Sequence, residues 1–199
     1  MQFIPAYFPS IRYMQALMQA PLAEINTQCH YQKQTYRNRC AIYGANGRLN
    51  LTVPIQHSKT HAHQIDGEVK IMWEQDWQKQ HWKSLESAYR SSPFFEFYED
   101  ELREVFFQRP EYLMEFNMSL IHCLMEWLTL DKKLSLAREY KAFDERELLL
   151  IQAKNETFED LPRYSQVFEN KHGFLSNLST LDLIFNHGPQ SISYLEELH

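Results

Sequence analysis

Tyr31-Gln32-Lys33-Gln34-Thr35-Tyr36-Arg37-Asn38-Arg39-Cys40 is the stretch on which the fold turns. Read as an extended segment, it puts Lys33, Arg37 and Arg39 on one face and begins an apolar face with Cys40 and Ile42. Arg37 and Arg39 then stand roughly 7 Å apart, two strand residues at about 3.3 Å each, a spacing that suits a phosphate or a carboxylate. Downstream, Gly44-Ala45-Asn46-Gly47 is followed by Leu49, Leu51 and Val53 alternating with Asn50, Thr52 and Pro54. Asn-Gly tolerates the positive φ of a type I′ turn, so Thr35 to Pro54 is expected to form an antiparallel hairpin with its turn at Asn46-Gly47. Pro54 closes the second strand or marks an edge. Three cations on one face of a chain with net charge −6 point to a local anion site. Surface strands also carry Lys and Arg for solubility, and that alternative predicts a flat, solvated face.

N-terminal to the hairpin, Phe3 to Phe8 is an apolar segment ending at Pro9, and Ser10 is placed to cap a helix with Ile11, Met14, Leu17 and Met18 at helical spacing. Tyr7 and Phe8 therefore sit at a strand-or-loop to helix entry, where rings and free backbone N–H groups can meet a ligand or form a rigid turn packed on the core. Leu22 to Ile25 reads as a second strand. After the hairpin, His57, His61 and His63 offer three imidazoles within seven residues. No helical period or carboxylate pair accompanies them, so a solvated loop and no metal are expected. Val69, Ile71 and Trp73 alternate with polar neighbours as in a half-buried strand.

The chain then turns helical. Asp76 is placed to cap a helix carrying Trp77, His81, Leu85 and Ala88 on one face, and His81 is the acid/base candidate because its ordinary pKa is near 6.5. A histidine on an apolar face also serves as a satisfied core residue. Pro93 opens a second helix through Phe94, Phe97, Tyr98, Leu102, Val105 and Phe106, with Ser92 as cap. Pro110 opens a third, striped by Leu113, Phe116, Leu120, Ile121, Leu124 and Leu128 and interrupted by Asn117, which must find a partner if buried. Leu134 to Ala137 reads as a late strand returning to the sheet. Asp144 to Lys154 fits either a helix or a short buried strand. Tyr164, Val167 and Phe168 share a helical face, Ser179 with Asp182 resembles a capping box, and Gly188-Pro189 stops that last helix before an amphipathic turn from Ile192 to Leu198.

Composition narrows the classes. At 199 residues, 44% hydrophobic and 23% charged, the chain is expected to be one domain, residues 1–199, with a substantial core. A sequence pI near 5.8 argues against general nucleic-acid binding, which needs clustered cations. No apolar run is long enough to span a bilayer, and no leader-like start is present, so the protein is expected to be cytoplasmic. Three scattered cysteines predict buried thiols. With five glycines, no phosphate-binding glycine loop and no nucleophile elbow, no standard cofactor is expected.

Taken in order, several pieces resemble the WbqC-like family: Tyr7-Phe8-Pro9, Tyr31-Gln32-Lys33 with Tyr36-Arg37-Asn38-Arg39, Leu51-Thr52-Val53-Pro54, the helix from Trp77 to Tyr89 leading into Ser92-Pro93-Phe94-Phe95, and Leu178 to Leu183. Many members carry Gln-Pro-Asn or similar before the Phe-Pro, where this chain has Ile4-Pro5-Ala6. The resemblance implies a place in O-antigen and other surface-polysaccharide assembly, with aminoacyl (glycine) transfer to sugars as the associated reaction. The expectation is a mixed α/β (α+β) fold, an N-terminal mixed sheet containing the Asn-Gly hairpin packed on a helical C-terminal half. Its expected activity is that of a transferase acting on an activated sugar or acyl donor. In it Lys33, Arg37, Asn38 and Arg39 bind a small anionic metabolite, phosphorylated or nucleotide-linked, Tyr7 and Tyr31 frame the cleft and His81 is catalytic. The alternative is a non-catalytic binding or assembly protein, which predicts a contiguous exposed aromatic patch.

Overall fold

A computed structural model describes residues 1–56, 64–137, 142–153 and 161–198. The fold is mixed α/β. Strand β1 (Gln2–Phe3) leads through helix α1 (Ile11–Gln19) to strand β2 (Ala23–Ile25), which pairs with β1 in parallel. Ser10 caps α1 by accepting from the Tyr13 N–H, and Ile11, Met14 and Leu17 face the core as their spacing requires. The late strand β5 (Leu134–Leu136) lies parallel on the other side of β2, giving the order β1-β2-β5.

The hairpin forms with strands β3 (Arg39–Gly44) and β4 (Gly47–Thr52), but it stands as a two-stranded sheet of its own instead of joining a mixed N-terminal sheet. Side-chain and loop groups occupy β3 outside the ladder: Tyr43 N–H donates to the Tyr89 hydroxyl and Ser179 N–H to the Ala41 carbonyl. The turn also differs from a type I′ turn. Gly44 pairs with Gly47, leaving Ala45 and Asn46 as the loop, and the positive φ falls on Gly47 at 97° and not on Asn46.

The helical part follows its periodicity with two corrections. Helix α2 (Trp77–Tyr89) buries Trp77, His81, Trp82, Leu85, Ala88 and Tyr89. Helix α3 (Phe95–Phe106) buries Phe95, Tyr98, Leu102 and Phe106, while Phe97 is 79% exposed: two residues on from Phe95 it is turned about 200° away. Helix α4 (Leu113–Trp127) buries its whole expected stripe. Helix α5 (Glu145–Leu149) resolves the ambiguous segment, held by an Asp144/Glu147 capping box. Tyr164 to Gln166 is not helical. The Tyr164 hydroxyl and the Gln166 amide both donate to Asp182, and Gln166 also bonds the Leu175 backbone, which keeps the segment extended. The short helix α6 (Glu169–His172) follows, then α7 (Thr180–His187) and α8 (Ser191–Glu197), joined by a 3-10 turn at Gly188–Gln190. Asp182, expected in a capping box, is fully buried in this network instead. The Val69-to-Trp73 segment is held by single bridges, Lys70 to Tyr112 and Ile71 to Ile55, and not by a full strand.

One apolar cluster runs from Phe3 to Leu198, and a smaller one packs Ala41 and Tyr43 against Leu178. The hairpin is thus covered on both faces along β3. No helix among the described residues is long and apolar enough to cross a membrane.

Candidate functional site

The parallel sheet sets the frame. The loop carrying Tyr7 leaves the carboxyl end of β1, and the loop carrying Tyr31 to Asn38 leaves that of β2, the end at which open α/β sheets place ligands. Each loop holds a strained residue: Phe8 has φ 41° and Gln34 φ 61°. Neither is glycine, and such conformations persist only where surrounding contacts enforce them.

Within these loops the expected cationic face does not form. Arg37 precedes β3, is 2% exposed, and its Nε lies 2.9 Å from the Asp66 carboxylate. The Cys29 thiol donates to the same carboxylate at 2.9 Å. Burial pushes the Asp66 carboxyl up, with Arg37 and Cys29 opposing, and burial pushes the Cys29 thiol up to about 12, so the thiol is a donor and not a nucleophile. Arg37 is therefore neutralised inside the protein because an isolated cation cannot be buried. Lys33 is exposed in the loop. Asn38 is buried and fully used: its Oδ1 accepts from the Tyr31 hydroxyl, its Nδ2 donates to the Val53 carbonyl, and its own carbonyl accepts from Val53 N–H, prolonging the hairpin. Tyr31 is half-buried beside Arg37, its ring centroid 5.9 Å from the guanidinium, and burial raises its phenol to about 12.

Tyr7 and His81 come together, but in the interior. The Tyr7 ring is wholly buried, stacks on Phe116, and places its hydroxyl 2.8 Å from His81 Nδ1. Burial lowers His81 to about 4, with the Thr52 backbone carbonyl opposing in part. A neutral imidazole accepting from Tyr7 is a core arrangement, and Tyr7 frames no cleft. Asn117 finds its partners across the two loops, donating to the Pro5 and Arg37 carbonyls at 2.9 and 2.7 Å.

Of the expected cations, Arg39 lines a concave site. A pocket of about 190 Å³ is lined by Tyr36, Arg39, Arg48, Asn50 and Ala153. The ladder pairs Arg39 with Thr52, Ala41 with Asn50 and Tyr43 with Arg48, so Asn50 stands between the two arginines on one hairpin face. Arg48 Nη2 donates to the Tyr36 hydroxyl at 2.9 Å, and Arg39 Nε is buried with no hydrogen-bond partner among the described residues. Tyr36 forms a rigid floor: it is 5% exposed, its N–H donates to Ile151 and its carbonyl accepts from Tyr7. Sequence reasoning named Arg39 but missed Tyr36, Arg48 and Asn50. The signal was strand parity, since any hairpin closed by a two-residue loop between Gly44 and Arg48 faces odd β3 residues with even β4 residues.

A second concavity of about 420 Å³ opens at the carboxyl ends of β2 and β5, lined by Ile25, Thr27, Glu68, Tyr112 and Leu136 among others. The cluster His57, His61 and His63 lies outside the described residues, and among those described no three metal-ligating side chains converge.

The uncharacterized protein Rv1507c of Mycobacterium tuberculosis (strain ATCC 25618 / H37Rv) is 27% identical to this chain over 83% of each. No solved structure matches the chain. The model of the WbqC-like protein family matches residues 4–160, a span that contains both loops, the hairpin and every residue of the arginine pocket, and the chain belongs to that family.

Proposed function

We propose that this WbqC-like protein is a transferase of surface-polysaccharide assembly that holds the anionic group of an activated donor or sugar in the Arg39/Arg48 pocket while an aminoacyl or acyl group is transferred. The observation that carries the anion-binding part is the convergence of two guanidiniums with Tyr36 and Asn50 in one small polar pocket on a chain of net charge −6. The place in polysaccharide assembly rests on family membership. In this reading Arg39 keeps the ligand role expected of it and Arg48 takes the one expected of Arg37. His81 and Tyr7 hold the loop that supports Tyr36.

The aromatic-surface alternative has less support. Among the described large hydrophobic side chains that are exposed, Phe97 is the one aromatic, so no aromatic patch accompanies it there. Thermal unfolding with a panel of sugar phosphates, nucleotide sugars and acyl or aminoacyl donors tests the reading. A binding anion raises the midpoint of the wild type and leaves the Arg39→Gln/Arg48→Gln double variant unmoved. Equal shifts in both proteins, or none in either, remove the anion pocket from consideration.

A further inference from the structure

We infer that the solvent face of α3 docks a basic amphipathic helix of a protein partner. This face shares no residue with the lining of the Arg39/Arg48 pocket, so the inference is independent of the function proposed above.

Four side chains make the surface. Phe97, Asp100, Glu104 and Phe107 follow one another at steps of three, four and three residues, which keeps them in one stripe along the helix and its C-cap. The stripe is about 15 Å long at about 1.5 Å per residue. Phe97 stands exposed at one end. At the other, an open concavity of about 480 Å³ is lined by Asp100, Arg103, Glu104, Phe107 and Gln108.

Charge decides what covers it. Glu96 to Glu104 holds five carboxylates and one arginine. Two of the five are engaged, Glu99 by Arg90 and Glu101 by the Trp127 indole N–H. Asp100 and Glu104 have no hydrogen-bond or ion-pair partner for their carboxylates among the described residues. Arg103 lies over the Trp82 and Phe107 rings, 5.7 and 5.8 Å from their centroids, instead of pairing with them. Glu96 with Asp100, and Asp100 with Glu104, are like charges four residues apart, which destabilises a helix. Glu104 also stands in the last turn of α3, where the helix dipole disfavours an anion. No described contact of these two carboxylates offsets the repulsion, whereas cations of a partner placed opposite would.

The spacing matches a helix. Laid along α3, a partner helix repeats the same period, so apolar side chains ten or eleven residues apart meet Phe97 and the concavity beside Phe107. Lys or Arg at the two positions between them on that face then oppose Asp100 and Glu104. An anionic lipid surface would be repelled by the same carboxylates.

The probe is an alanine-based helical peptide of about 18 residues, with Leu at the two end positions of one face and Lys at the two between. Its control is a scrambled peptide of the same composition, which keeps the charge and loses the face. Titrated calorimetrically into the full chain, the patterned peptide is expected to bind at least tenfold more tightly than the scrambled one. Phe97→Ser is expected to weaken it about tenfold, and Asp100→Asn with Glu104→Gln to weaken it as much and to flatten its salt dependence. All three positions are exposed, so the variants should fold, and the double variant should unfold no earlier than the wild type because it removes like-charge pairs. Equal binding of the two peptides, no binding of either, or a Phe97→Ser variant that binds as the wild type does would each overturn the inference.

Discussion

His81 illustrates how burial changes what a residue can do. Its folded pKa of about 4 lies below the unfolded value near 6.5, so the unfolded chain takes up a proton that the folded one refuses. Stability from this residue is full above pH 6.5 and is lost as pH falls toward 4, by about 3 kcal/mol at about 1.4 kcal/mol per unit. Urea unfolding of wild type and His81→Gln across that range should show the gap between them closing as pH drops. A constant gap refutes the neutral-imidazole assignment. Arg37 and Asp66 make a sharper case. Asp66→Asn strands a buried guanidinium and should cost about 3–5 kcal/mol, whereas Arg37→Met combined with Asp66→Leu should cost less than Asp66→Asn alone. Additive losses in a denaturant-unfolding cycle would show that the pair is not coupled.

At the scale of elements, the hairpin was legible and its turn was not. Gly and Pro punctuation with alternating Leu49, Leu51 and Val53 sufficed for two strands, but Asn-Gly allows the positive φ at either of two positions. In the folded chain Gly44 pairs with Gly47, while Ala41 and Tyr43 of the same strand pack against Leu178. Gly47→Ala should therefore cost about 1–2 kcal/mol through backbone strain alone, because nothing lies within 4 Å of an added Cβ. Asn46→Ala should cost under about 0.5 kcal/mol, as an exposed position without positive φ. Chemical denaturation of the two variants decides between the turns, and a cost at Asn46 comparable to that at Gly47 would restore the type I′ turn, which needs positive φ at both. The helices were the most legible elements, since a 3.6-residue period survives in any packing. Phe97 misled because both it and Phe95 fit the composition of a core stripe.

Across the whole molecule, Asn117 joins the parts. From α4 it holds the Pro5 carbonyl on the β1 loop and the Arg37 carbonyl on the β2 loop, so one amide sets the spacing of the two segments behind the arginine pocket. Asn117→Leu leaves both carbonyls buried without that donor and should cost about 2–4 kcal/mol, roughly 5–15 °C in midpoint for a chain of this size. Calorimetric unfolding measures it, and a loss within about 0.5 kcal/mol would mean the loops are held by other contacts.

The sequence by itself determined the mixed α/β class, the second N-terminal strand, the hairpin and the buried stripes of α2 and α4, because hydrophobic period, caps and turn residues are local properties. It also carried the family, through pieces spread from Tyr7 to Leu183. Only the tertiary structure decided which cations line a pocket and which are buried in ion pairs. Whether Arg37 or Arg39 is free depends on a carboxylate 29 residues from Arg37, and whether Arg48 joins Arg39 depends on strand register, so both are set by long-range partners that local spacing does not encode.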